Sequence, residues 1–353
     1  TFDITPFVVQ GTKNTLAVQV STRTKGWEFD TNDCWSLSGI IRAVTLFHLP
    51  PVHIKDLVVQ TFVRSGQGIV SVKSEIEKAI GTKFSRNLNL TAQLKDASGQ
   101  IVATQTVQKT VVDNKKDTTT FSANFKLSTP KLWTAETPYL YSLELKLCDS
   151  KNRIQQYSQK VGIREISWSD AVLKLNGTPI KLRGVDHHDL SPVNGRAMTE
   201  AELLEDLKLI RQANINFIRT SHYPPQPRLL ELCDSLGFYV MDEVPFGFGD
   251  EHLNDNSYLL ILKTRAKATV WRDKNHPSVI VWSVGNENPL TNMCQQVGKY
   301  VKSLDATRPD CFPQVGSYFN KIADTFPDSI DILAPHYPVT TTLKGYANRF
   351  NRP

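Results

Sequence analysis

One short segment places a carboxylate directly after residues of buried character. Residues 279–288 read VIVWSVGNEN, an apolar run that ends in Asn286, Glu287 and Asn288. A short run of apolar, β-branched residues bounded by turn signals is typical of a strand buried on both faces, as in a parallel sheet. Such a strand would deliver Asn286 and Glu287 at its C-terminal end, where α/β barrels carry their active sites. Taken alone, the segment is equally compatible with a solvated loop residue at position 287.

Similar polar groups recur along the second half of the chain. They follow apolar segments in five places, which are Arg183, Asp186, His187 and His188; Arg219, Ser221, His222 and Tyr223; Asp242 and Glu243; Asn286 and Glu287; and His336 and Tyr337. A single histidine after a strand is more often structural than functional. Five such groups in successive units would face one rim of a barrel, so we predict a functional site at that rim.

The residues after about 167 carry the pattern that would build such a rim. Segments of strand type alternate with segments spaced for helices, such as TEAELLEDLKLIRQAN at residues 199–214, where Thr199 and Glu202 form a capping-box pattern. This alternation predicts parallel βα units. Six strands can be counted where a (β/α)8 barrel needs eight. We therefore expect residues 166–353 to form the N-terminal part of a TIM barrel, an incomplete (β/α)8 barrel of about six βα units.

The first half of the chain has a β pattern. Residues 51–165 contain short strands with alternating apolar residues and turn signals such as Ser98-Gly99, which predict an immunoglobulin-like β-sandwich. The Cys-Trp-Cys signature of antibody domains is absent from the sequence. Residues 1–50 contain strand-like segments at 14–22 and 39–50, so we expect the last part of another β-module there. The predicted fold class is therefore multidomain.

The composition argues against several classes of protein. The 353 residues carry a net charge of +6 from scattered lysines and arginines, and no apolar run approaches the ~20 residues of a membrane helix. We expect neither nucleic-acid binding nor a membrane anchor. Five widely spaced cysteines indicate neither a disulfide framework nor a zinc site. Both ends of the sequence look as if a longer sequence had been interrupted there, so we expect part of a longer protein. The compartment is left open between the cytoplasm and the periplasm of a bacterium.

The motifs of the rim resemble those of glycoside hydrolase family 2, which contains β-galactosidases, β-glucuronidases and β-mannosidases. The matching segments, in the order of the family, are LRGVDHHD, IRTSHYP, VMDEVP, RDKNHPSVIVWSVGNEN and SLDATRP. The segment FDTNDCWSLSGIIR resembles the end of the family's N-terminal sugar-binding domain, so the resemblance assigns residues 1–50 to the C-terminal part of that jelly-roll β-sandwich. It further implies cleavage of β-glycosides with retention of configuration by two carboxyl groups.

The resemblance implies roles for the residues after the fourth strand. Glu287 would be the proton donor, the general acid/base, and Asn286 would hydrogen-bond the sugar 2-hydroxyl. In the family the nucleophile follows a segment like RFNRP on the seventh strand. No Glu follows Glu287 in the sequence, and the later Asp residues lie at helix ends or before a strand. We therefore expect the nucleophile to lie beyond residue 353 and this chain alone to be inactive.

Further substrate-binding residues follow from the resemblance and from the rim. They are His188, His222, Arg219, Asp33, Asp186, Glu243 and Tyr337. Structural hydrogen bonding of the rim is the alternative role for His188, Arg219 and His222. Some β-galactosidases bind Mg²⁺ through a Glu and a His that follow the third strand. Here the corresponding sequence is DEVPFGFGDEH, which is closer to glucuronidases, so we expect no metal and no other cofactor.

Two classes of function follow. The first is a retaining exo-β-glycosidase acting on a β-glycoside or oligosaccharide; DCWSLSGIIR favours a β-galactosidase, whereas DEVP and RDKNHP favour a β-glucuronidase. The second is a non-catalytic carbohydrate-binding or scaffold protein. Asn286 and Glu287 argue against the second class, because binding needs no general acid. Since an open barrel would expose apolar edges, we also expect self-association as a homo-oligomer.

Overall fold

The computed structural model describes residues 2–30, 37–84, 87–110, 116–149, 152–169, 171–313 and 330–338. Two large units are present, an antiparallel β-sandwich followed by a parallel sheet with helices. None of the helices in these ranges has the length and apolar character that crossing a bilayer requires.

The β-sandwich consists of seven strands in two antiparallel sheets. The strands are β1 (Val52–Arg64), β2 (Gln67–Lys78), β3 (Asn87–Lys95), β4 (Ile101–Thr110), β5 (Thr118–Leu127), β6 (Tyr141–Asp149) and β7 (Asn152–Val161). One sheet has the order β1-β2-β5 and the other β4-β3-β6-β7. Buried side chains alternate along β3 and β6, and they meet those of β2 and β5 in one apolar core. The predicted β-sandwich is confirmed, and its immunoglobulin-like topology stays a prediction.

The strands predicted within residues 1–50 are wrong for the part that the structure describes. Residues 14–22 and 39–50 form no strand, and the elements in the described ranges 2–30 and 37–50 are two short 3₁₀ turns, Thr5–Phe7 and Trp27–Asp30. A strand is stable only beside a partner that completes its backbone hydrogen bonds, and none of the described strands lies beside these segments. Phe29, in the second of these turns, is fully buried in the apolar core of the parallel unit.

A small antiparallel sheet follows the sandwich. It contains β8 (Ile166–Ser167), β9 (Lys174–Leu175) and β10 (Thr178–Pro179). Asn176 and Gly177 join β9 to β10, and both have positive φ, at 53° and 79°. Two such residues form the hairpin turn whose twist matches the strands. Leu175 is buried with Tyr239 and Ile280 of the parallel unit, so the small sheet covers part of that unit.

The parallel unit alternates strands and helices as the sequence predicts. Its strands are β11 (Gly184–Asp186), β12 (Phe217–Arg219), β13 (Tyr239–Glu243), β14 (Val279–Ser283) and β15 (Asp310–Cys311), and its helices are α1 (Glu200–Gln212), α2 (Pro227–Leu236), α3 (Leu259–Asp273) and α4 (Asn292–Leu304). The strands follow one another in sheet order, and Cys311 makes a parallel bridge to Ile332 at the sixth strand position. The sequence FNKIADTF at residues 319–326 also predicts a short helix, which lies outside the described residues.

Local sequence signals fix the ends of these elements. The Thr199 hydroxyl accepts from the Glu202 amide while the Glu202 carboxylate accepts from the Thr199 amide, which is the predicted capping box of α1. Helix α2 ends at Gly237, whose φ is 83° and whose missing Cβ would stand 2.1 Å from the Ala135 carbonyl oxygen. Only glycine fits that close approach between the helix end and the chain after the sandwich.

The base of the parallel sheet is held by two buried arginines. Arg164, just after β7, donates to the Pro277 and Val279 carbonyl oxygens at 2.7 Å each. Arg308 donates to the same Val279 oxygen at 2.7 Å and to the Lys274 oxygen at 2.8 Å. Burial, together with the neighbouring Arg308 cation, holds the pKa of Arg164 well below its ordinary value. These contacts fix the N-terminal end of β14, the strand whose other end leads to Asn286 and Glu287.

Candidate active site

The C-terminal end of β14 is turned sharply so that consecutive polar residues face the mouth of the sheet. Gly285 permits this turn, because a Cβ there would lie 2.4 Å from the Phe246 carbonyl oxygen. The backbone N–H of Asn286 donates to that oxygen at 2.8 Å, and the backbone N–H of Glu287 donates to the Pro313 carbonyl oxygen at 3.0 Å. Glu287 has φ of 56°, a left-handed conformation that is strained for a residue with a side chain. Strain of this kind is concentrated at functional sites.

The Asn286 side chain is completely buried, and one of its two polar atoms has a hydrogen-bond partner among the described residues. Its Oδ1 accepts a hydrogen bond of 2.6 Å from Arg219 Nη2. Its Nδ2 is buried without a hydrogen-bond partner among the described residues. An unpaired buried donor costs free energy. A ligand acceptor that receives a hydrogen bond from Asn286 Nδ2 would recover this cost.

Arg219 organises the centre of the site. Its Nε donates to Glu243 Oε2 at 2.8 Å, and its Nη1 contacts Asp186 Oδ1 at 3.3 Å. His222 Nδ1 lies 2.7 Å from Glu243 Oε1. Burial lowers the pKa of Arg219, but the nearby carboxylates of Glu243 and Asp186 outweigh it and raise the pKa above its ordinary value. The guanidinium therefore stays charged and links Glu243 to Asn286.

Ser283 is a member of this network that the sequence analysis missed. Its hydroxyl donates to Glu243 Oε2 at 2.7 Å, although Ser283 is simply the last residue of a buried strand. Glu243 thus has both carboxylate oxygens engaged, by Arg219 and Ser283 on one and by His222 on the other. It is placed to hold its neighbours rather than to react. Serine at the end of an apolar strand was the only sequence signal for this contact.

Glu287 contacts a second residue that was not assigned a role. His336 Nε2 lies 2.9 Å from Glu287 Oε1, and both side chains are about one-sixth exposed, at 15% and 16%. The Nδ1 of His336 is buried without a partner among the described residues. The sequence placed His336 after the sixth strand, but the pairing with position 287 depends on how the two strand ends converge. Glu287 is therefore a partly enclosed carboxyl beside an imidazole rather than a solvated loop residue.

His188 contacts this network through His222. Its ring meets that of His222 edge to face with centroids 5.4 Å apart, and it lies 5.9 Å from the ring of Tyr223. Burial lowers the pKa of His188, and the neighbouring His222 lowers it further. The Nδ1 of His188 is buried and unpaired within the described residues. A neutral imidazole with a free ring nitrogen can hydrogen-bond a hydroxyl group.

The structure brings most of the predicted residues together but not all of them. Asn286, Arg219, Glu243, His222 and His188 form one continuous set of contacts, and Glu287, next to Asn286 in the chain, contacts His336. Asp186 lies at its edge, with a side chain that is 59% exposed. Tyr337 is 87% exposed and contacts His336 through its ring, at 4.0 Å between centroids. Asp33 lies outside the described residues.

Asp242, the neighbour of Glu243, faces the other side of the sheet. Successive strand residues point to opposite faces, so Asp242 is buried against Thr220 Oγ1 at 3.2 Å while Glu243 faces the mouth. Burial raises the pKa of Asp242, and the carboxylate of Asp273 on α3 raises it further. The pair of acidic residues on β13 is therefore divided between the site and the helix layer.

The donor set after β13 does not fit a magnesium site. Val244 and Phe246 follow Glu243 and are fully buried apolar residues. In the part of the chain that the structure describes, no three His, Cys, Asp or Glu side chains converge as metal ligands would.

Two family models match the chain. The model described as glycosyl hydrolases family 2, TIM barrel domain, matches residues 166–352, and the model described as glycosyl hydrolases family 2 matches residues 52–164. The first match covers the parallel unit with all its site residues, and the second covers the sandwich.

Individual relatives point to the same group. The chain is 34% identical over 326 residues to a beta-galactosidase of Halalkalibacterium halodurans, a match that covers 87% of this chain and 31% of that protein. It resembles a solved glycosyl hydrolase family 2 member from Bacteroides cellulosilyticus, with a TM-score of 0.75, 27% identity and coverage of 86% of this chain and 40% of that one. A beta-glucuronidase of Bacteroides uniformis gives a TM-score of 0.74, 25% identity and coverage of 85% and 39%. The chain thus spans about a third of the length of the curated relative that it matches.

Proposed function

The chain belongs to glycosyl hydrolase family 2, and from this premise we propose that it is part of a retaining exo-β-glycosidase, with terminal β-galactosides as its first candidate substrates. A single observation carries the proposal. Beside the strained Glu287, Asn286 has its oxygen held by Arg219 while its buried amide nitrogen is unpaired. This arrangement combines a proton donor with a waiting hydrogen-bond donor for a sugar hydroxyl.

In this proposal Glu287 is the general acid/base. Its carboxyl gives a proton to the glycosidic oxygen as the leaving group departs and later takes one from water. Asn286 donates to the sugar 2-hydroxyl, a contact that strengthens as positive charge develops on the ring. His336, 2.9 Å from Glu287, holds the carboxyl in place.

The remaining residues of the network act as positioning groups. Arg219 fixes the orientation of the Asn286 amide, because its guanidinium occupies Oδ1 and leaves Nδ2 toward the ligand. Glu243, Ser283 and His222 in turn fix Arg219. His188 supplies a neutral imidazole nitrogen to a second hydroxyl. Asp186, Tyr337 and Asp33 are kept as substrate contacts predicted from the sequence.

Double displacement also requires a nucleophilic carboxylate about 5–5.5 Å from the acid. Glu243 does not meet this need, because both of its oxygens are bonded to neighbours. No Glu follows Glu287 in the 353 residues. We therefore expect the purified 353-residue chain to bind a glycoside but not to release nitrophenol from nitrophenyl β-galactoside. Steady release that Glu287→Gln abolishes would show that a nucleophile has been overlooked.

A β-glucuronidase is the second candidate. The sequence DEVP after the third strand and the similarity to the Bacteroides uniformis beta-glucuronidase favour it. The similarity to the Halalkalibacterium halodurans beta-galactosidase favours the first candidate.

The experiment that tests the proposal compares two ligands on the 353-residue chain by calorimetry. One is methyl β-galactoside, and the other is the galacto form of isofagomine, whose ammonium imitates the positive charge of the transition state. A catalytic site should bind the cation on the order of tenfold or more tightly, since transition-state analogues bind 10²–10⁸-fold better in complete sites. Glu287→Gln should remove this preference, and Asn286→Ala should weaken both ligands. Equal affinities that neither variant changes would favour the non-catalytic carbohydrate-binding alternative.

A further inference from the structure

Phe29 precedes the sandwich in the chain, yet its side chain is fully buried in the core of the parallel unit. Its ring meets the ring of Phe246 edge to face with centroids 5.3 Å apart, and that of Tyr258 at 5.4 Å. Aromatic pairs in this geometry contribute stability beyond the area that they bury. The proposed mechanism gives Phe29 no role, although its partner Phe246 is hydrogen-bonded to Asn286.

The loop that follows β13, residues 245–250, packs closely against Phe29. The backbone N–H of Gly247 donates to the Phe29 carbonyl oxygen at 3.2 Å. Gly249 has φ of 69°, and a Cβ at this position would lie 2.9 Å from the Phe29 ring. Glycine permits both the backbone conformation and the close approach. The position of the Phe29 ring therefore limits where this loop can lie.

Arg265 on α3 joins the same loop to the segment that contains Phe29. Its guanidinium donates to the two carboxylate oxygens of Asp30 at 2.9 Å each. It also donates to the Pro245 carbonyl oxygen at 3.0 Å and to the Gly26 carbonyl oxygen at 3.1 Å. A guanidinium that binds a carboxylate through two hydrogen bonds fixes geometry as well as supplying energy. Arg265 thus holds the chain on both sides of Phe29 against the start of the loop.

The loop in turn holds the turn after β14. The Phe246 carbonyl oxygen accepts a hydrogen bond of 2.8 Å from the backbone N–H of Asn286, and Gly247 forms a parallel bridge with Asn286. Asn288 Nδ2 donates to the Phe248 carbonyl oxygen at 2.5 Å. Since these bonds tie the turn to the loop, a displacement of the loop would displace Asn286 as well.

We propose that Phe29 is a positioning residue, whose ring fixes the loop after β13 and through it the Asn286 amide that receives the sugar. The inference rests on the proposed function and deepens it, because it makes the hydrogen bond to the 2-hydroxyl depend on a segment outside the parallel unit. Phe29 acts through Phe246 and Gly247. A misplacement of about 1 Å that originates far from the reacting atoms can cost about 10²-fold in rate, so such an indirect effect is large enough to measure.

The test measures how strongly the 353-residue chain prefers a sugar that carries the 2-hydroxyl. The probes are methyl β-galactoside and methyl 2-deoxy-β-galactoside, together with the same pair in gluco configuration, and calorimetry supplies the affinities. We expect the wild type to favour the 2-hydroxyl about tenfold in one configuration, because its absence leaves a buried donor unpaired. Phe29→Ala should remove most of this preference. Phe29→Leu should keep most of it, because leucine fills most of the same volume.

Two further substitutions separate positioning from a general loss of stability. Phe238→Ala removes a buried ring from the same core just before β13, at the other end of that strand, and should leave the preference intact. Asp30→Asn weakens the contact with Arg265 at a side chain that is 47% exposed, and should lower the preference in part. Circular dichroism of each variant controls for folding.

A double-mutant comparison tests whether the effect passes through Asn286. In a chain that already carries Asn286→Ala, adding Phe29→Ala should leave the remaining affinities unchanged, because the group that Phe29 positions is gone. Without ligand, the side-chain amide signals of Asn286 in NMR spectra, assigned with Asn286→Ala, should shift in Phe29→Ala and stay in place in Phe238→Ala.

The outcomes separate the two proposals. A wild-type preference for the 2-hydroxyl that survives Phe29→Ala overturns the positioning role and leaves the glycosidase proposal standing. If Phe29→Ala does not fold, a preference that Asp30→Asn leaves unchanged overturns that role instead. No preference or no binding in the wild type overturns the proposed contact between Asn286 and the sugar. The Asn286 amide signals then decide the positioning role, which is overturned if Phe29→Ala does not shift them.

Discussion

The two ends of the parallel sheet differ in the hydrogen bonding of their buried polar groups. The base is the end where β14 begins, and the mouth is the end where β14 leads to Asn286 and Glu287. At the base, Arg164 and Arg308 donate to backbone carbonyl oxygens, and Asp234 is bonded to His276 and the Ser278 backbone amide. The Ser278 hydroxyl, also at the base, is buried without a hydrogen-bond partner among the described residues.

At the mouth, buried atoms of His188, Asn286 and His336 have no partner within the described residues. Satisfied polar groups stabilise a fold, whereas unsatisfied ones cost free energy that a bound ligand can recover. The same strand, β14, therefore begins in a region built for stability and ends in one built for binding.

The largest expected effect is a loss of stability caused by a substitution at the base. Arg308→Ala should lower the free energy of unfolding by about 3–5 kcal/mol, because it leaves Asp305 as an unpaired buried charge and frees three carbonyl contacts. Urea denaturation followed by tryptophan fluorescence measures the loss. The exposed Arg153→Ala is the control and should cost less than about 0.5 kcal/mol. A similarly small loss for Arg308→Ala would mean that the base does not carry the stability assigned to it.

A second prediction concerns Asp310 on β15, which lies opposite Trp282 of β14. Its Oδ2 is buried and unpaired among the described residues, and burial raises its pKa to about 7. Because the folded state holds the proton more tightly than an ordinary carboxyl of pKa 3.8, stability from this group is fully present below pH 3.8 and is lost as the pH rises to about 7.

Asp310→Asn should therefore flatten the decline in the free energy of unfolding between about pH 4 and 7, and the variant should gain most over the wild type above pH 7. Urea titrations at pH 4, 5.5, 7 and 8 supply the comparison. Parallel curves for the two proteins would show that Asp310 is not the group responsible.

The third prediction concerns the mouth, where we expect a substitution to stabilise the protein instead of destabilising it. Glu287→Gly should raise the free energy of unfolding by about 1 kcal/mol, because glycine adopts φ of 56° without strain. The same change should abolish the preference for the cationic iminosugar, since the carboxyl is gone. Matched denaturation curves and calorimetry test both halves. A destabilised variant would mean that the Glu287–His336 contact outweighs the backbone strain.

The smallest effect concerns the electrostatics of the mouth. His222→Gln should raise the pKa of His188 toward its ordinary 6.5, but only in part, because burial is the larger cause of its depression. Proton NMR titration of the imidazole signals, assigned with His188→Gln, measures the change. An unaltered His188 titration would mean that the two rings do not interact electrostatically. It would argue against a contact network that runs through both rings.

Residues whose signal is local were predictable. Thr199 and Glu202 announce the start of α1 because the capping box is contained in four consecutive residues. The apolar run at 279–283 announces a strand buried along its whole length. The segments at 14–22 and 39–50 have the same kind of local signal, yet they form no strand, because pairing requires a neighbour that local sequence does not specify.

The amino-acid sequence by itself determined the alternation of strands and helices, the order of the motifs and the identity of Asn286 and Glu287 as the residues to examine, because each depends on spacing along the chain. Only the tertiary structure decided that Ser283 and His222 engage Glu243 and that His336 meets Glu287. These contacts join residues far apart in sequence, and their distances are set by how successive strands and loops converge at one rim.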